Sequence, residues 1–492
     1  MNEWFVICLS VLLAFVMVNW VYFKILKIAK DKNLVDNPDA RKLQKKPVPV
    51  MGGIAVFLGV VSGVLSAFAF AGMLCPSVIL SAELLPVLTA MMVMIYVGSI
   101  DDILGLAPRS RMVIEALTVV ALICSSGGCV DTFHGLWRVE SISPWLAVPL
   151  TVVAGVGIVN AINMIDGVNG LSSGLCMVCS VLFGSVFVKG GDWGNAALAF
   201  IMVASLLPFY VHNVFGQRSR MFIGDAGTMA MGMLLTWFMV SLLRSDSVHI
   251  YRWHETGPAP VAMTLAFLSV PIFDTLRVMG MRMLEGRSPF NPDKKHLHHV
   301  LIAAGVSHFF TSTIIIGINL LITLIWLLAV ECGLGAAGQL YAVIGASVLL
   351  VWGIFAFVRY NECRHTDFMC RLSYYSARTY WEHKDWWKAF SGWLDAPDGY
   401  VGEKKDADSA AFGASTGTAG RINYKQIDRM RIVGFLKGRN GVGVKDILAL
   451  SGAEKLRVYP ILFELEQEGM IKVVRRKGLG VPDVVVLEET DR

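Results

Sequence analysis

Apolar residues run in long stretches along most of the chain, separated by short polar segments, and the stretches recur at the length that a lipid bilayer demands. Windows of about 19 residues mark candidate helices near 4–24, 53–72, 84–100, 111–127, 145–163, 168–188, 195–212, 222–243, 260–281, 310–331 and 338–358. About 20 apolar residues in a helix cross a hydrocarbon core about 30 Å thick, so the pattern predicts about eleven spans. The windows at 111–127 and 145–163 fit least well, with Glu115 near an end and several glycines. The first stretch, Phe5 to Phe23, has no small-residue cleavage site after it and reads as a retained helix rather than a signal peptide.

The polar connections then orient the chain. One alternating set holds Lys24 to Lys46, Arg109 with Arg111, Arg218 with Arg220, and Arg277 to Lys295, about seventeen Lys and Arg; the other holds about four, Arg138, Lys189, Arg244 and Arg252. By the positive-inside rule the rich set is cytoplasmic, which predicts an N-terminus outside and a tail after Val358 inside, in a multi-pass protein of the cell (inner) membrane. Composition agrees: 55% of the 492 residues are hydrophobic and 16% charged, against about 25% charged in a soluble domain. The net charge of +5 adds little. Of the nine cysteines, Cys8, Cys124, Cys176 and Cys179 fall inside apolar runs and imply no disulfide framework. The Cys176-x-x-Cys179 pair has no second ligand pair nearby and is read as membrane-helix packing.

The tail is expected in three parts. In 361–395 aromatic residues such as Phe368, Tyr374, Trp386, Trp387 and Trp393 interleave with Arg364, Arg371 and Lys388, the make-up of a helix lying among lipid headgroups. Residues 396–423 are rich in Gly, Ala, Ser, Thr and charge and read as a flexible linker. From 424 to 492 the pattern is three short helices (Ile427 to Leu436, Val444 to Leu450, Glu454 to Glu468) and two β-rich stretches (Met470 to Val474, Val481 to Leu487) around Arg475-Arg476-Lys477-Gly478, the order of a winged helix. The fold class expected is therefore an all-α polytopic membrane protein, residues 1–360, plus a small cytoplasmic winged-helix (α+β) domain.

Ionisable groups bordering membrane spans are costly and usually functional. Four such clusters fall on the predicted cytoplasmic side: Asp101-Asp102; Asn160-Ala-Ile-Asn163-Met-Ile-Asp166-Gly-Val-Asn169-Gly170; Gly224-Asp225-Ala-Gly227; and His296-Leu-His298-His299. The first cytoplasmic loop adds Arg41-Lys42 and Pro47-Val-Pro49-Val-Met-Gly52-Gly53. Singly, each has an ordinary structural explanation as a cap, turn or polar loop. Together, carboxylates from separate loops with amides, imidazoles and cations between them suit magnesium-assisted phosphoryl transfer. Oxygen ligands hold the ion while it bridges substrate phosphates, and cations neutralise the developing charge.

At these residues the sequence resembles the polyprenyl-phosphate N-acetylhexosamine 1-phosphate transferases, over roughly Leu34 to Gly305. The stretch Arg287-Ser-Pro-Phe-Asn-Pro-Asp-Lys-Lys-His-Leu-His-His and the Arg41-Lys42…Pro47-x-Pro49 element resemble the WecA and TagO branch more than MraY. The resemblance implies a Mg2+ enzyme, with Mn2+ as a substitute. It would transfer N-acetylhexosamine 1-phosphate, with N-acetylglucosamine 1-phosphate the expected group, from a UDP-sugar to polyprenyl phosphate, releasing UMP and starting a lipid-linked cell-envelope glycan. It implies catalytic roles for Asp101, Asp102, Asp166, His298 and His299, with Asp101 the candidate base. Substrate contacts would come from Arg41, Lys42, Asn160, Asn163, Phe222 (near the uracil) and His296, and metal ligands from Asp225, Asp102 and Asn163. Two positions depart from the family pattern: Gln44 stands where His is usual, and Thr228 replaces Ser.

The winged-helix-like segment resembles the PadR-like regulators. Its third helix offers only Lys455 and Arg457 near its start and is then acidic at Glu464, Glu466 and Glu468, which favours docking of a cytoplasmic protein over DNA. Beyond the two substrates and the bilayer, a homodimer stays open. The competing classes are a membrane-tethered winged-helix transcriptional regulator and a transporter. A regulator has no need of five polar motifs, and transport would put the carboxylates near mid-membrane rather than at span ends on one side.

Overall fold

The computed structural model describes residues 2–36, 47–74, 83–247, 257–289, 295–364, 367–378, 385–395, 424–437, 439, 441–453, 455–475 and 482–487. Arg41, Lys42 and Gln44, the expected linker at 396–423, and the basic Arg476-Lys477 pair lie outside the described residues. The chain forms two compact units, one of residues 1–298 with 312–353 and the other of 299–311 with 354–492.

The first unit is built on helices α1 (Asn2–Asp31), α2 (Gly52–Leu74), α3 (Leu84–Leu104), α4 (Pro108–Ser126), α5 (Pro144–Ile165), α6 (Leu171–Gly190), α7 (Trp193–Phe215), α8 (Gly224–Leu243), α9 (Pro260–Phe267) and α10 (Ser269–Leu284). It continues with α11 (Leu297–Ala303), α12 (His308–Glu331) and α13 (Ala336–Ser347); α11 and α12 each run across the boundary between the units. Among the described residues nine helices are long and apolar enough to cross a membrane, and α9 with α10, bent by 77°, makes a tenth if the pair is one span. The protein is thus a multi-pass membrane protein. The expected window at 111–127 is helical, as α4, but with Arg109, Arg111 and Glu115 in its first two turns it is not among those nine.

α8 is the axis of this unit. Its apolar length is wholly enclosed by protein, with α3 and α5 packed closely along it and α2, α6 and α9 also in contact. Small residues allow that approach: a Cβ on Gly232 would stand 2.6 Å from the Val159 Cα, and one on Gly98 would stand 2.4 Å from the Ala226 Cα. Polar side chains inside the bundle answer backbone groups that lipid could not satisfy. At the α9–α10 break, Asn319 of α12 accepts from Val270 N at 3.1 Å and donates to the Phe267 carbonyl at 3.0 Å. A sharp bend is therefore tolerated where a water-free surrounding would otherwise penalise its freed backbone.

The second unit holds α14 (Gly353–Cys363) from Ile354 on, α15 (Asp367–Arg378), α16 (Asp385–Asp395), α17 (Tyr424–Leu436), α18 (Val444–Leu450) and α19 (Lys455–Gln467). Its strands β3 (Val442–Gly443), β4 (Ile471–Arg475) and β5 (Pro482–Leu487) form an antiparallel sheet in the order β3-β5-β4. (β1, Val35–Asp36, and β2, Val48–Pro49, pair in the first unit.) Val458, Ile461, Leu462 and Leu465, spaced for one face of α19, meet Ile432, Leu436, Ile447, Ile471 and Val485 in a single core. Tyr374 of α15 joins that core, edge-on to Tyr459 at 5.3 Å. The aromatic segment expected to lie among headgroups is therefore two helices whose Tyr374 and Trp387 are buried in protein, while Phe368, Tyr375, Trp386 and Trp393 stay exposed.

Candidate active site

The N-terminal end of α8 gathers most of the motifs. Gly224 turns the chain into the helix at φ +73°, a conformation in which a side chain is strained, and a Cβ there would lie 2.4 Å from Asp102 Oδ2. Asp102, near the end of α3, uses that space to accept from Asp225 N (2.9 Å) and Ala226 N (3.3 Å), so its carboxylate covers two of the first amides of α8. The Pro49 to Gly53 stretch lines up beside the same turn. Phe222 N donates to Pro49 O at 2.8 Å, while Gly52 N and Gly53 N donate to Phe222 O and Ile223 O at 2.9 and 2.8 Å. A Cβ on Gly53 would stand 2.3 Å from Gly227 N, which explains the paired glycines.

Asp225, inside this turn, has a side chain 38% exposed, and Asp102 beside it is exposed as well. Asn163 of α5 donates to its Oδ1 at 2.7 Å and to Thr228 Oγ1 at 2.8 Å. The Thr228 hydroxyl thus carries the hydrogen bond at the position where the family pattern has Ser. The Asp101 side chain is largely covered and doubly engaged: Leu106 N donates to Oδ1 at 2.7 Å and Arg111 Nη1 to Oδ2 at 3.0 Å. Arg111 also reaches Asn160 Oδ1 (3.2 Å), Glu115 (3.5 Å) and Asp225 Oδ2 (3.7 Å). Asn160 in turn donates to Glu115, which is enclosed in α4.

The loop after α5 enters from another side. Asp166 accepts from Ser172 Oγ at 2.5 Å. Burial pushes its carboxyl up to about 6 against that hydrogen bond, and the Asp225 charge adds to the rise. His298 abuts the same loop, since a Cβ on Gly167 would fall 2.3 Å from its Nε2, and it stacks nearly parallel to His296 at 5.8 Å. His296 and His298 are buried. His299 belongs to the second unit.

Reading the sequence overlooked four participants. The pattern marks Arg111 and Arg277 only as basic loop residues and Glu115 only as a poor fit to a span, and it does not single out Asp274, although Asp274 and Arg277 of α10 are both buried and Asp274 bonds His296 Nδ1 at 2.9 Å. An ionisable residue inside an apolar window was the signal available for Glu115 and Asp274. Among the described residues no three His, Cys, Asp or Glu side chains close into a ready metal cage. The donor set still suits Mg2+, which characteristically takes one or two carboxylates and completes its shell with water and phosphate. Asp225, partly exposed and braced by an amide, has that form.

Residues 84–243, from α3 to the end of α8, match the family model described as "Glycosyl transferase family 4". The chain is 28% identical over 344 residues to an undecaprenyl-phosphate alpha-N-acetylglucosaminyl 1-phosphate transferase of Yersinia pestis, covering 68% of this chain and 86% of that one. It is 32% identical over 283 residues to a probable undecaprenyl-phosphate N-acetylglucosaminyl 1-phosphate transferase of Bacillus subtilis (strain 168), covering 57% of this chain and 73% of the other. The Escherichia coli (strain K12) protein of the first name is 28% identical over 345 residues, covering 68% and 85%. With the polar motifs gathered around one helix end and these relatives matched over most of their length, the chain belongs to the WecA/TagO-like family of polyprenyl-phosphate N-acetylhexosamine 1-phosphate transferases.

Proposed function

We propose that this protein transfers N-acetylglucosamine 1-phosphate from UDP-N-acetylglucosamine to undecaprenyl phosphate, releasing UMP and beginning a lipid-linked glycan of the cell envelope. The observation that carries the reading is the meeting of Asp101, Asp102, Asn163 and Asp225 at the start of α8, in a chain whose curated relatives bear that transferase name. An oxygen of the lipid phosphate forms a bond to the β-phosphorus while the bond from that phosphorus to the bridging oxygen breaks, and the electron pair leaves with UMP.

Mg2+, or Mn2+ in its place, would be held by Asp225 with Asn163 and Asp102 beside it, and would supply charge neutralisation on the diphosphate. Asp101, with both oxygens already bonded, serves to set Arg111 and the lipid phosphate rather than to remove a proton, because a phosphate monoester is already largely ionised near neutral pH. Arg111, and Arg41 and Lys42 in the first loop, counter the substrate phosphates. Asp166 and Asn160 line the nucleotide side, Phe222 stacks on the uracil, and His296, His298 and His299 meet the diphosphate and sugar.

The same reading makes all eleven windows spans, with α4 as one of them and α9–α10 as another, the motifs and tail cytoplasmic and the N-terminus outside, in the inner membrane. The α-β-α-α-β-β order and the β3-β5-β4 sheet of the second unit support a winged helix. Arg457 is drawn into an ion pair with Asp428 at 2.8 Å, which favours docking of a cytoplasmic protein over phosphate binding along DNA. Purified protein incubated with undecaprenyl phosphate and a panel of UDP-sugars tests the whole: metal-dependent UMP release with UDP-N-acetylglucosamine is expected. No release with any UDP-sugar, alongside sequence-selective DNA binding by the full chain at physiological salt, would replace the enzyme with a regulator.

A further inference from the structure

A bracket of buried charges on α10 grips the histidine motif from behind. Asp274 lies in the second turn after the 77° break, with 2% of its surface exposed, and Arg277 one turn on has 5%. One oxygen of Asp274, Oδ2, faces His296 Nδ1 at 2.9 Å, and Oδ1 accepts from Arg277 Nη2 at 2.7 Å. Leu297 N is shared between the two oxygens at 3.2 and 3.3 Å, and Arg277 Nη2 also donates to the Lys295 carbonyl at 2.6 Å. Three consecutive residues, 295 to 297, are thus held by one aspartate–arginine pair.

Holding a loop does not by itself call for buried charge. A buried ion pair costs several kcal/mol per ion in desolvation, and apolar residues of similar volume often stabilise as well or better. What an apolar residue cannot do is orient an imidazole. An ionised carboxylate has no proton to give, so His296 donates from Nδ1, and the ring is held with Nε2 on the side away from Asp274. His296 lies parallel to His298, whose Nε2 closes against the Asp166-Gly167 loop. Turning the first ring would therefore disturb the second.

We propose that Asp274 is a positioning residue for the transfer reaction, fixing the ring and tautomer of His296 so that its Nε2 is presented to the sugar nucleotide. This rests on the reading of His296 as a group that meets the donor. Arg277 completes the device by balancing the aspartate and fixing the Lys295 carbonyl.

The test is a double-mutant cycle on the full-length protein in lipid nanodiscs, with Asp274→Asn, His296→Gln and the pair, reading kcat and KM for UDP-N-acetylglucosamine. Each single change is expected to lower kcat by about 10- to 100-fold, the usual loss when a carboxylate orienting a histidine is removed, with KM moving less than about threefold. In the His296→Gln background, Asp274→Asn should add less than about twofold, because the partner it acts through is gone. Additive losses, or an Asp274→Asn variant with normal kcat beside an impaired His296→Gln variant, would overturn the inference and leave the transferase reading standing. A fully active His296→Gln variant would remove His296 from the site and the inference with it. Should Asp274→Asn fail to insert, Asp274→Glu keeps the anion and displaces it, and its loss of kcat must likewise vanish in the His296→Gln background.

Discussion

The two ends of α8 carry similar charges and use them differently. At the N-terminal end, Arg111 lies within 4 Å of three carboxylates, Asp101, Glu115 and Asp225, of which Asp101 and Glu115 have side chains only 7% and 1% exposed. At the C-terminal end, Arg244 pairs with Glu83 (2.9 Å) and Asp246 (2.5 Å), side chains 31% and 65% exposed, and Asp131 accepts from Ser245 N and Oγ at 2.7 Å. There the Arg244 hydrogen bonds hold Asp246 below its ordinary pKa, outweighing its partial burial. Near the other end, burial pushes Asp166 up to about 6. Exposed charge is settled by water and a neighbouring guanidinium. Buried negative charge in excess of its cation is costly, and becomes useful when a metal ion and substrate phosphates complete the balance.

That contrast can be broken by substitution. Asp225→Asn keeps the shape and removes the anion, and is expected to lower UMP release by at least about 1000-fold with Mg2+ or Mn2+, a loss typical of removing a group that acts on transition-state charge. Full turnover by that variant in metal-free buffer would move the metal role elsewhere. Asp101→Asn should lower kcat by about 100-fold while leaving UDP-sugar binding within a few-fold, since it frees Arg111 rather than a donor contact; a loss confined to KM would place it on the donor side. Arg111→Lys keeps the charge but loses the fork that spans Asp101 and Asn160, for an expected loss of about tenfold in kcat/KM.

Two smaller effects sharpen the comparison. Gly224→Ala meets both the left-handed backbone and Asp102, and should cost about 1–2 kcal/mol of stability from backbone strain alone, read as a lowered Tm together with reduced activity. At the opposite end Arg244→Gln should cost about 1–2 kcal/mol of stability, since a guanidinium only 13% exposed is lost from two partly exposed carboxylates, and leave turnover as it was. An Arg244→Gln enzyme with strongly reduced turnover would mean that the two ends are coupled.

Much of this was legible in the chain. Apolar runs longer than a bilayer is thick leave a helix little alternative, because lipid offers backbone amides no other partner. Accordingly the windows around 53–72, 195–212 and 222–243 became α2, α7 and α8 with shifts of a few residues. The carboxylates and amides at span ends announced themselves by their cost, and similarity to curated relatives fixed the family. What the tertiary structure decided is how these groups are divided. Linear order ranks Asp101 and Asp102 alike, yet packing commits Asp102 to the amides of α8 and Asp101 to Arg111, and sets Asp225, partly exposed, against the Asn163 amide. It also joined Tyr374 to a core assembled more than fifty residues later, and Asp274 to His296 across 22 positions. Hydropathy and motif spacing are local quantities, whereas the partner of a buried charge is set by which helix faces it, and that is determined only when the bundle closes.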